Sequence, residues 1–139
     1  MVSFSNADCT FQFKEKRKLK AFIVSIFNQE NTALNNLQYV FCTDEYIINI
    51  NRQFLQHDTY TDIITFALQE PNNPVEGEIY ISLERVKDNS KLLNTSYHTE
   101  LLRVIFHGAL HLCGYKDKTK VQSILMRQKE DFYIQQYLQ

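Results

Sequence analysis

Glycine is scarce in this chain of 139 residues, which has three glycines, two prolines, three cysteines and no tryptophan. Average usage would give about ten glycines, so each of the three marks a position that needs a reason. Two of them, Gly108 and Gly114, fall within one short stretch. The cysteines, Cys9, Cys42 and Cys113, are odd in number and form no CxxC pair, which argues against a disulfide framework. We therefore expect a reduced, cytoplasmic protein.

Long apolar runs are also absent. No stretch approaches the roughly 18 residues that a membrane-spanning helix needs, and the first residues do not resemble a secretion signal. The sequence thus predicts a protein with no membrane partner. Its length suits a single domain over residues 1–139, and a hydrophobic content of 44% is enough for one core.

Basic residues are clustered, although the formal net charge is only −1. Residues 14–20 read Lys-Glu-Lys-Arg-Lys-Leu-Lys, and a second basic stretch holds Lys116, Lys118 and Lys120. Such clusters can bind a phosphate backbone, but they are as often solvated helix faces or turns. The sequence leaves both interpretations open.

Hydrophobic periodicity predicts an α+β domain in which a small mixed sheet of about four strands packs with about five helices. The predicted strands are 37–42, 62–68, 78–83 and the first few residues. The predicted helices are 15–28, 44–55, 84–93, 99–113 and 119–137. Large apolar side chains at helical spacing are expected to face inward, namely Tyr46, Ile47, Ile50 and Phe54 in helix 44–55 and Val121, Ile124, Leu125 and Phe132 in the last helix.

Two histidines in helix 99–113 are the first candidates for chemistry. Apolar residues cover most of this helix, so it should be largely buried, but one stripe is polar. His107 and His111 lie on that stripe one turn apart. Imidazoles at this spacing can converge on one metal ion at about 2.0–2.1 Å, the Zn–N distance.

A third candidate ligand follows the end of this helix. Gly114 can end the helix in a left-handed conformation and turn the chain back, so that the carboxylate of Asp117 approaches the histidines. Three protein ligands leave a fourth position for water, which is more typical of a catalytic than of a structural zinc site. The sequence predicts one Zn²⁺ per chain at the C-terminal end of a buried helix, bound by His107, His111 and Asp117.

Other residues of the helix have less distinctive interpretations. A glycine inside a helix costs about 1 kcal/mol relative to alanine, so Gly108 indicates tight packing on a strand or access to the metal. Glu100 and Arg103 are expected to form a surface ion pair, with a contact to a metal ligand as the alternative. Cys113 points roughly opposite His111 and is expected to be a small core residue rather than a ligand.

Three segments of the chain carry motifs that one known family has in the same order. The segment His107-Gly-Ala-Leu-His-Leu-Cys-Gly-Tyr115 resembles the signature His-Gly-x-Leu-His-Leu-x-Gly-Tyr-Asp-His. Thr61-Asp-Ile-Ile-Thr-Phe66 resembles Thr-Asp-Val-Leu-Ser-Phe, and Gly77-Glu-Ile-Tyr-Ile-Ser82 resembles Gly-Asp-Ile-x-Ile-Ser. Together they resemble the YbeY family of bacterial rRNA maturation factors, which are small metal-dependent endoribonucleases.

This resemblance implies a function and a set of partners. The expected activity is zinc-dependent, single-strand-specific RNA cleavage in maturation of the 3′ end of small-subunit rRNA and in ribosome quality control. The expected partners are rRNA and the ribosomal small subunit or its proteins, and DNA is not expected. Residues 14–20 would then follow the RNA backbone.

The chain departs from the family pattern at two places. The last motif residues, Asp-His in the family, are Lys116-Asp117 here, so a carboxylate replaces an imidazole. A family arginine aligns with Leu55, and His57, two residues on, is a weak catalytic candidate that could contact phosphate or be an ordinary loop histidine. The sequence indicates no general base.

Two other functions remain open. Metzincin peptidases have the similar spacing His-Glu-x-x-His-x-x-Gly-x-x-His/Asp, but the position of their glutamate base is Gly108 here. A non-enzymatic ribosome-assembly factor could use the same ligands, with zinc only holding the end of the helix and the turn.

Overall fold

The computed structural model describes residues 1–56 and 60–139, so the candidate His57 lies outside the described residues. Within them, the strands are β1 (Val2–Asn6), β2 (Leu34–Cys42), β3 (Ile63–Ala67) and β4 (Val75–Ser82). The helices are α1 (Lys16–Gln29), α2 (Asp44–Ile50), α3 (Leu83–Leu92), α4 (Tyr97–Leu112) and α5 (Lys120–Leu138). One π-helical turn, Asn51–Leu55, continues α2.

The four strands form one mixed sheet in the order β1-β2-β4-β3. β1, β2 and β4 run parallel, with Tyr39 of β2 opposite Ile79 of β4, whereas β3 is antiparallel to β4. Along the chain, helices connect the parallel strands, because two parallel strands can be joined only by a crossover connection. The predicted α+β architecture, with four strands and five helices, is confirmed for the described part of the chain.

Both faces of the sheet are covered by apolar side chains, because successive strand residues point to opposite sides. The main core joins α1, α4, α5 and one face of β2 and β4, and its fully buried members include Phe27, Leu37, Ile79, Ile105 and Phe106. A smaller cluster on the other face packs α2 against the sheet through Cys42, Ile47, Ile50 and Ile64.

Helix α4 and the sheet approach each other closely at two glycines. A Cβ added at Gly108 of α4 would lie 2.8 Å from Cδ1 of Ile79 and 3.1 Å from Cδ1 of Ile63. A Cβ added at Gly77 of β4 would lie 2.8 Å from Cδ1 of Leu112. The prediction of tight packing on a strand at Gly108 is confirmed. At each glycine, a side chain of the facing element occupies the space that a Cβ would fill.

The ends of α4 and the start of α5 are fixed by local signals in the sequence. The Ser96 side chain accepts a hydrogen bond from the Thr99 amide at the start of α4, and Gly114 follows its end with φ +107°. Thr119 and Gln122 form a capping box at the start of α5. The short segment between the two helices therefore has defined ends, and it carries Asp117.

The predicted inward face of α5 is wrong. Four side chains expected inside are exposed, namely Val121, Ile124, Leu125 and Phe132. The buried positions are instead Met126, Glu130, Tyr133, Ile134 and Tyr137. The buried stripe includes a carboxylate and two phenols, whose polar groups lower its apparent hydrophobicity in the sequence.

In helix 44–55 the predicted inward positions are only partly correct. Ile47 and Ile50 are buried as expected, whereas Tyr46 is at the surface and Phe54 is 67% exposed. The π-helical turn changes the angular step at the end of the segment, which displaces Phe54 from the face that a regular helix would give it. Among the described residues, no helix combines the length and the apolar character needed to cross a bilayer.

Candidate metal centre

The structure brings the side chains of His107, His111 and Asp117 together at the end of α4. Asp117 Oδ2 lies 3.2 Å from His107 Nε2 and 3.3 Å from His111 Nε2. One donor atom from each of the three residues lies within 4.8 Å of the others. Two donors stand on one rigid helix and the third comes from the loop after it.

The far side of each imidazole is held by an acceptor. His107 Nδ1 lies 2.6 Å from Glu130 Oε2, and His111 Nδ1 lies 2.9 Å from the backbone oxygen of Tyr115. A carboxylate and a carbonyl only accept hydrogen bonds, so both Nδ1 atoms carry a proton. Each Nε2 is then the ring nitrogen on the side of Asp117, available to a cation held between them, as in metal-binding histidines. The donor set therefore fits a divalent cation, zinc included.

The acidic surroundings of His107 favour positive charge at this position. Burial alone would lower the pKa of His107, but the hydrogen bond and charge of Glu130, followed by the charges of Asp117 and Asp62, raise it above its ordinary value. The same carboxylates that stabilise a proton on this imidazole would stabilise a cation beside it.

Arg103 joins Glu130 to a larger ionic network. Its guanidinium lies 3.1 Å from Glu130 Oε1 and 2.8 Å from Asp131 Oδ1, with Glu100 Oε2 more distant at 3.9 Å. The Glu100–Arg103 pair is present, but its predicted place at the surface is wrong because both side chains are largely buried. Through Glu130, Arg103 supports the orientation of His107.

Glu30, the residue after α1, holds the loop that follows α4. Its carboxylate accepts hydrogen bonds from Tyr115 Oη at 2.6 Å, from Lys129 Nζ at 3.1 Å and from the hydroxyl of Tyr133. Burial acts to raise the pKa of Glu30, but these hydrogen bonds and the charge of Lys129 lower it overall. The loop that supplies the acceptor for His111, and then Asp117, is thereby tied to α1 and α5.

Two cavities open onto the donors, the first bordered by His107 and Asp117 and the second by all three residues. One of about 310 Å³ lies between α4 and α5, and a second of about 480 Å³ lies between α4 and β3. Asp62, Ile63, His107 and Asp117 line both. Burial raises the pKa of Asp62, whose carboxylate accepts a 3.4 Å hydrogen bond from Asn89. His107 and Asp117 are therefore accessible to solvent and substrate from both cavities, and His111 from the second.

Several of these residues escaped the sequence analysis. Glu30, Asp62 and Glu130 reach the site from distant parts of the chain, and the only signal for Asp62 was its place in a motif.

Cys113 lies outside the group of donors, as expected, and burial raises the pKa of its thiol to about 11.

The basic cluster at residues 14–20 begins near the other end of α4. Lys14 lines a small surface pocket with Tyr97, His98 and Leu101. With a rise of 1.5 Å per residue, Leu101 and His111 are about 15 Å apart along the helix. Lys116 and Lys118, by contrast, flank Asp117 directly in the sequence.

Comparison with known proteins gives a consistent result. A family model described as Endoribonuclease YbeY matches residues 2–138. An Endoribonuclease YbeY of Cytophaga hutchinsonii is 44% identical over 130 residues, covering 94% of this chain and 91% of its own. One of Flavobacterium psychrophilum is 41% identical over 131 residues, covering 94% and 92%.

A solved structure agrees with these sequence matches. The solution structure of a Thermotoga maritima protein is 26% identical and superposes with a TM-score of 0.66, covering 99% of this chain and 89% of that one. Sequence and fold are thus similar over nearly the whole length. The chain belongs to the Endoribonuclease YbeY family.

Proposed function

We propose that this chain is a zinc-dependent, single-strand-specific endoribonuclease that matures the 3′ end of small-subunit rRNA and acts in ribosome quality control. Family membership supports an endoribonuclease role and hence an RNA substrate. One observation carries the metal dependence, namely that His107, His111 and Asp117 present converging donors whose far sides are already held. Residues 1–139 act as one YbeY-like domain in this proposal, in the cytoplasm, with the ribosomal small subunit or its proteins as partners.

The residues of the site have distinct parts in this proposal. His107, His111 and Asp117 hold the metal, and three protein ligands leave a position open. Zinc bound there would polarise a phosphoryl oxygen and lower the pKa of water. Glu130 and the Tyr115 carbonyl orient the imidazoles, and the two cavities admit the RNA strand.

Basic residues 14–20 supply the backbone contacts in this proposal. Neutralising phosphates releases counterions, so binding should weaken steeply with salt. Replacing Lys14, Lys16 and Lys20 by alanine is expected to lower RNA affinity and reduce its salt dependence. Lys87→Ala on α3 is the matched control, and an unchanged salt slope in the triple variant would contradict this part.

The decisive test measures metal content. Elemental analysis of the purified protein is expected to find about one zinc per chain, as a single three-ligand site requires. Asp117→Ala should lose it, while Asp88→Ala, an exposed aspartate of α3, should retain it. Zinc retained in full by Asp117→Ala would overturn the proposed ligand set.

His111→Ala separates an enzyme from an assembly factor. A folded variant that no longer cleaves single-stranded RNA supports the enzyme. Unfolding upon metal removal, with no cleavage by the intact protein, supports a structural zinc. Nothing in the site favours a peptidase, because Gly108, at the position of the metzincin base, faces Ile63 and Ile79 of the sheet.

A further inference from the structure

A buried carboxylate beside the candidate metal centre lacks a hydrogen bond. Glu100, in the first turn of α4, is only 5% exposed. Within the described residues its one side-chain partner is Arg103, at 3.9 Å, beyond hydrogen-bonding distance. The guanidinium of Arg103 makes its short contacts to Glu130 and Asp131 instead. Buried carboxylates are normally hydrogen-bonded. The long ion pair with Arg103 leaves the Glu100 carboxylate able to accept hydrogen bonds from a group in the cavity that it lines.

The cavity between α4 and α5 brings Glu100 and the metal ligands together. Glu100 lines this cavity of about 310 Å³, as do His107 and Asp117. A volume of this size lies at the lower end of the range for small-molecule pockets. A group occupying it would be adjacent to a phosphate at the donors, as the base of the same or the next nucleotide would be.

The charges around Glu100 disfavour a phosphate at that end of the cavity. In addition to Asp117, three carboxylates line the cavity, namely those of Asp62, Glu100 and Glu130. The positively charged groups of the lining are the guanidinium groups of Arg103 and Arg127. Arg103 is engaged by Glu130 and Asp131, so the wall near Glu100 is negative overall. A suitable occupant offers N–H donors to Glu100, and the exposed bases of single-stranded RNA do so.

We propose that this cavity binds a guanine base next to the scissile phosphate, with Glu100 as the specificity-determining residue. The two oxygens of one carboxylate can accept hydrogen bonds from N1–H and from the N2 amino group of guanine. Adenine, cytosine and uracil place an acceptor beside their donor on this edge, so they cannot make both bonds. Arg127, which has no ion pair among the described residues, also lines the cavity and carries donors of the kind that suit guanine O6 or N7.

Binding, rather than cleavage, tests this inference, which rests on RNA being the substrate of the proposed enzyme. The probes are 2′-O-methyl hexamers of uridine with one central guanosine, inosine or adenosine, measured by fluorescence anisotropy on the protein as purified. Gels run after the measurement check that the probes are intact. We expect the guanosine probe to bind about 10-fold more tightly than the adenosine probe, as a bidentate contact would give. Inosine, which lacks the N2 amino group, should fall between them.

Glu100→Gln assigns the preference to one residue. The amide keeps the shape but loses one acceptor and the charge, so the guanosine-to-adenosine ratio is expected to fall to about 2-fold or less. Glu70→Gln, in an exposed loop, should keep the ratio of the unaltered protein. Zinc content measured in parallel shows whether the metal centre is intact, a property that base preference in binding does not require.

Two results would overturn the proposal. One is equal affinity of the unaltered protein for the three probes, which needs no variant and so decides the matter even if Glu100→Gln fails to fold. The other is a guanosine preference that persists in folded Glu100→Gln. If zinc is absent while the base preference holds, the metal assignment fails and the base pocket stands.

Discussion

Two glutamates with little exposed side-chain surface support the candidate metal centre, and they do different things. Glu130 has a side chain 6% exposed and accepts hydrogen bonds from His107 and Arg103. Glu30 has a side chain 11% exposed and accepts from Tyr115, Tyr133 and Lys129. The first contacts a candidate ligand directly, whereas the second holds the loop that leads to another. The same chemical group therefore orients a candidate ligand in one case and holds the loop that leads to another ligand in the other case.

Replacing Glu130 should produce the largest change in metal binding. In Glu130→Gln the imidazole of His107 loses its charged acceptor, and losing such an outer partner typically costs 10–100-fold in affinity. We expect the zinc dissociation constant to rise by about that factor, measured by competition with a chelator. Asp88→Asn is the control, and an unchanged constant in Glu130→Gln would contradict the difference between the two glutamates.

Replacing Glu30 should affect folding more than metal binding. Hydrogen bonds to a charged acceptor are stronger than neutral ones, so Glu30→Gln is expected to lower the free energy of unfolding of the metal-free protein by about 1–2 kcal/mol. Urea denaturation measures this loss. The zinc dissociation constant should change by a smaller factor than in Glu130→Gln. In the Tyr133→Phe background the loss should be smaller, because the two residues share one hydrogen bond.

The contribution of Glu30 to stability should depend on pH. Its pKa is lowered in the folded protein, so the ionised form is stabilised by folding and the contribution is complete above the unfolded value of about 4.5. It is lost as pH falls through the lower, folded pKa. The stability difference between the unaltered protein and Glu30→Gln should therefore shrink as the pH falls below about 4.5. A difference that grows on acidification would mean that Glu30 is not the ionised acceptor.

The smallest effect is expected on the outer face of the helix that carries Glu130. Val121 of α5 is 77% exposed, so Val121→Gln should change the free energy of unfolding by less than about 0.5 kcal/mol. Ile134→Gln on the buried face of the same helix should destabilise the protein far more. If urea denaturation gave equal losses for the two variants, the buried face of α5 would have to include Val121, as the sequence predicted.

The candidate ligands could be predicted from the sequence because their relative positions depend on local structure. A helical repeat places His107 and His111 one turn apart, and Gly114 turns the chain so that Asp117 returns to them within six residues of His111. Glu130 and Asp62 could not be predicted in this way. They reach the site from α5 and from the start of β3, and their approach depends on tertiary packing.

The wrong face of α5 has a related cause. Its buried stripe contains Glu130 and Tyr133, whose polar atoms are satisfied by Arg103, His107 and Glu30 on other elements. A scale of hydrophobicity counts such groups as solvent-facing because it contains no information about their partners. The number and type of the secondary-structure elements were more predictable, since strand and helix periods do not depend on distant partners.

The reciprocal packing of Gly77 and Gly108 has a mechanical consequence. One inserted side chain would resist sliding of α4 along the sheet but would leave the helix free to pivot about it. Here Leu112 of the helix inserts toward Gly77, and Ile79 of the sheet inserts toward Gly108, at two separate points. Two opposed insertions resist both motions. His107 and His111 thus stand at a fixed height and rotation above the strand that carries Ile79, and the loop that carries Asp117 sets the span between the donors.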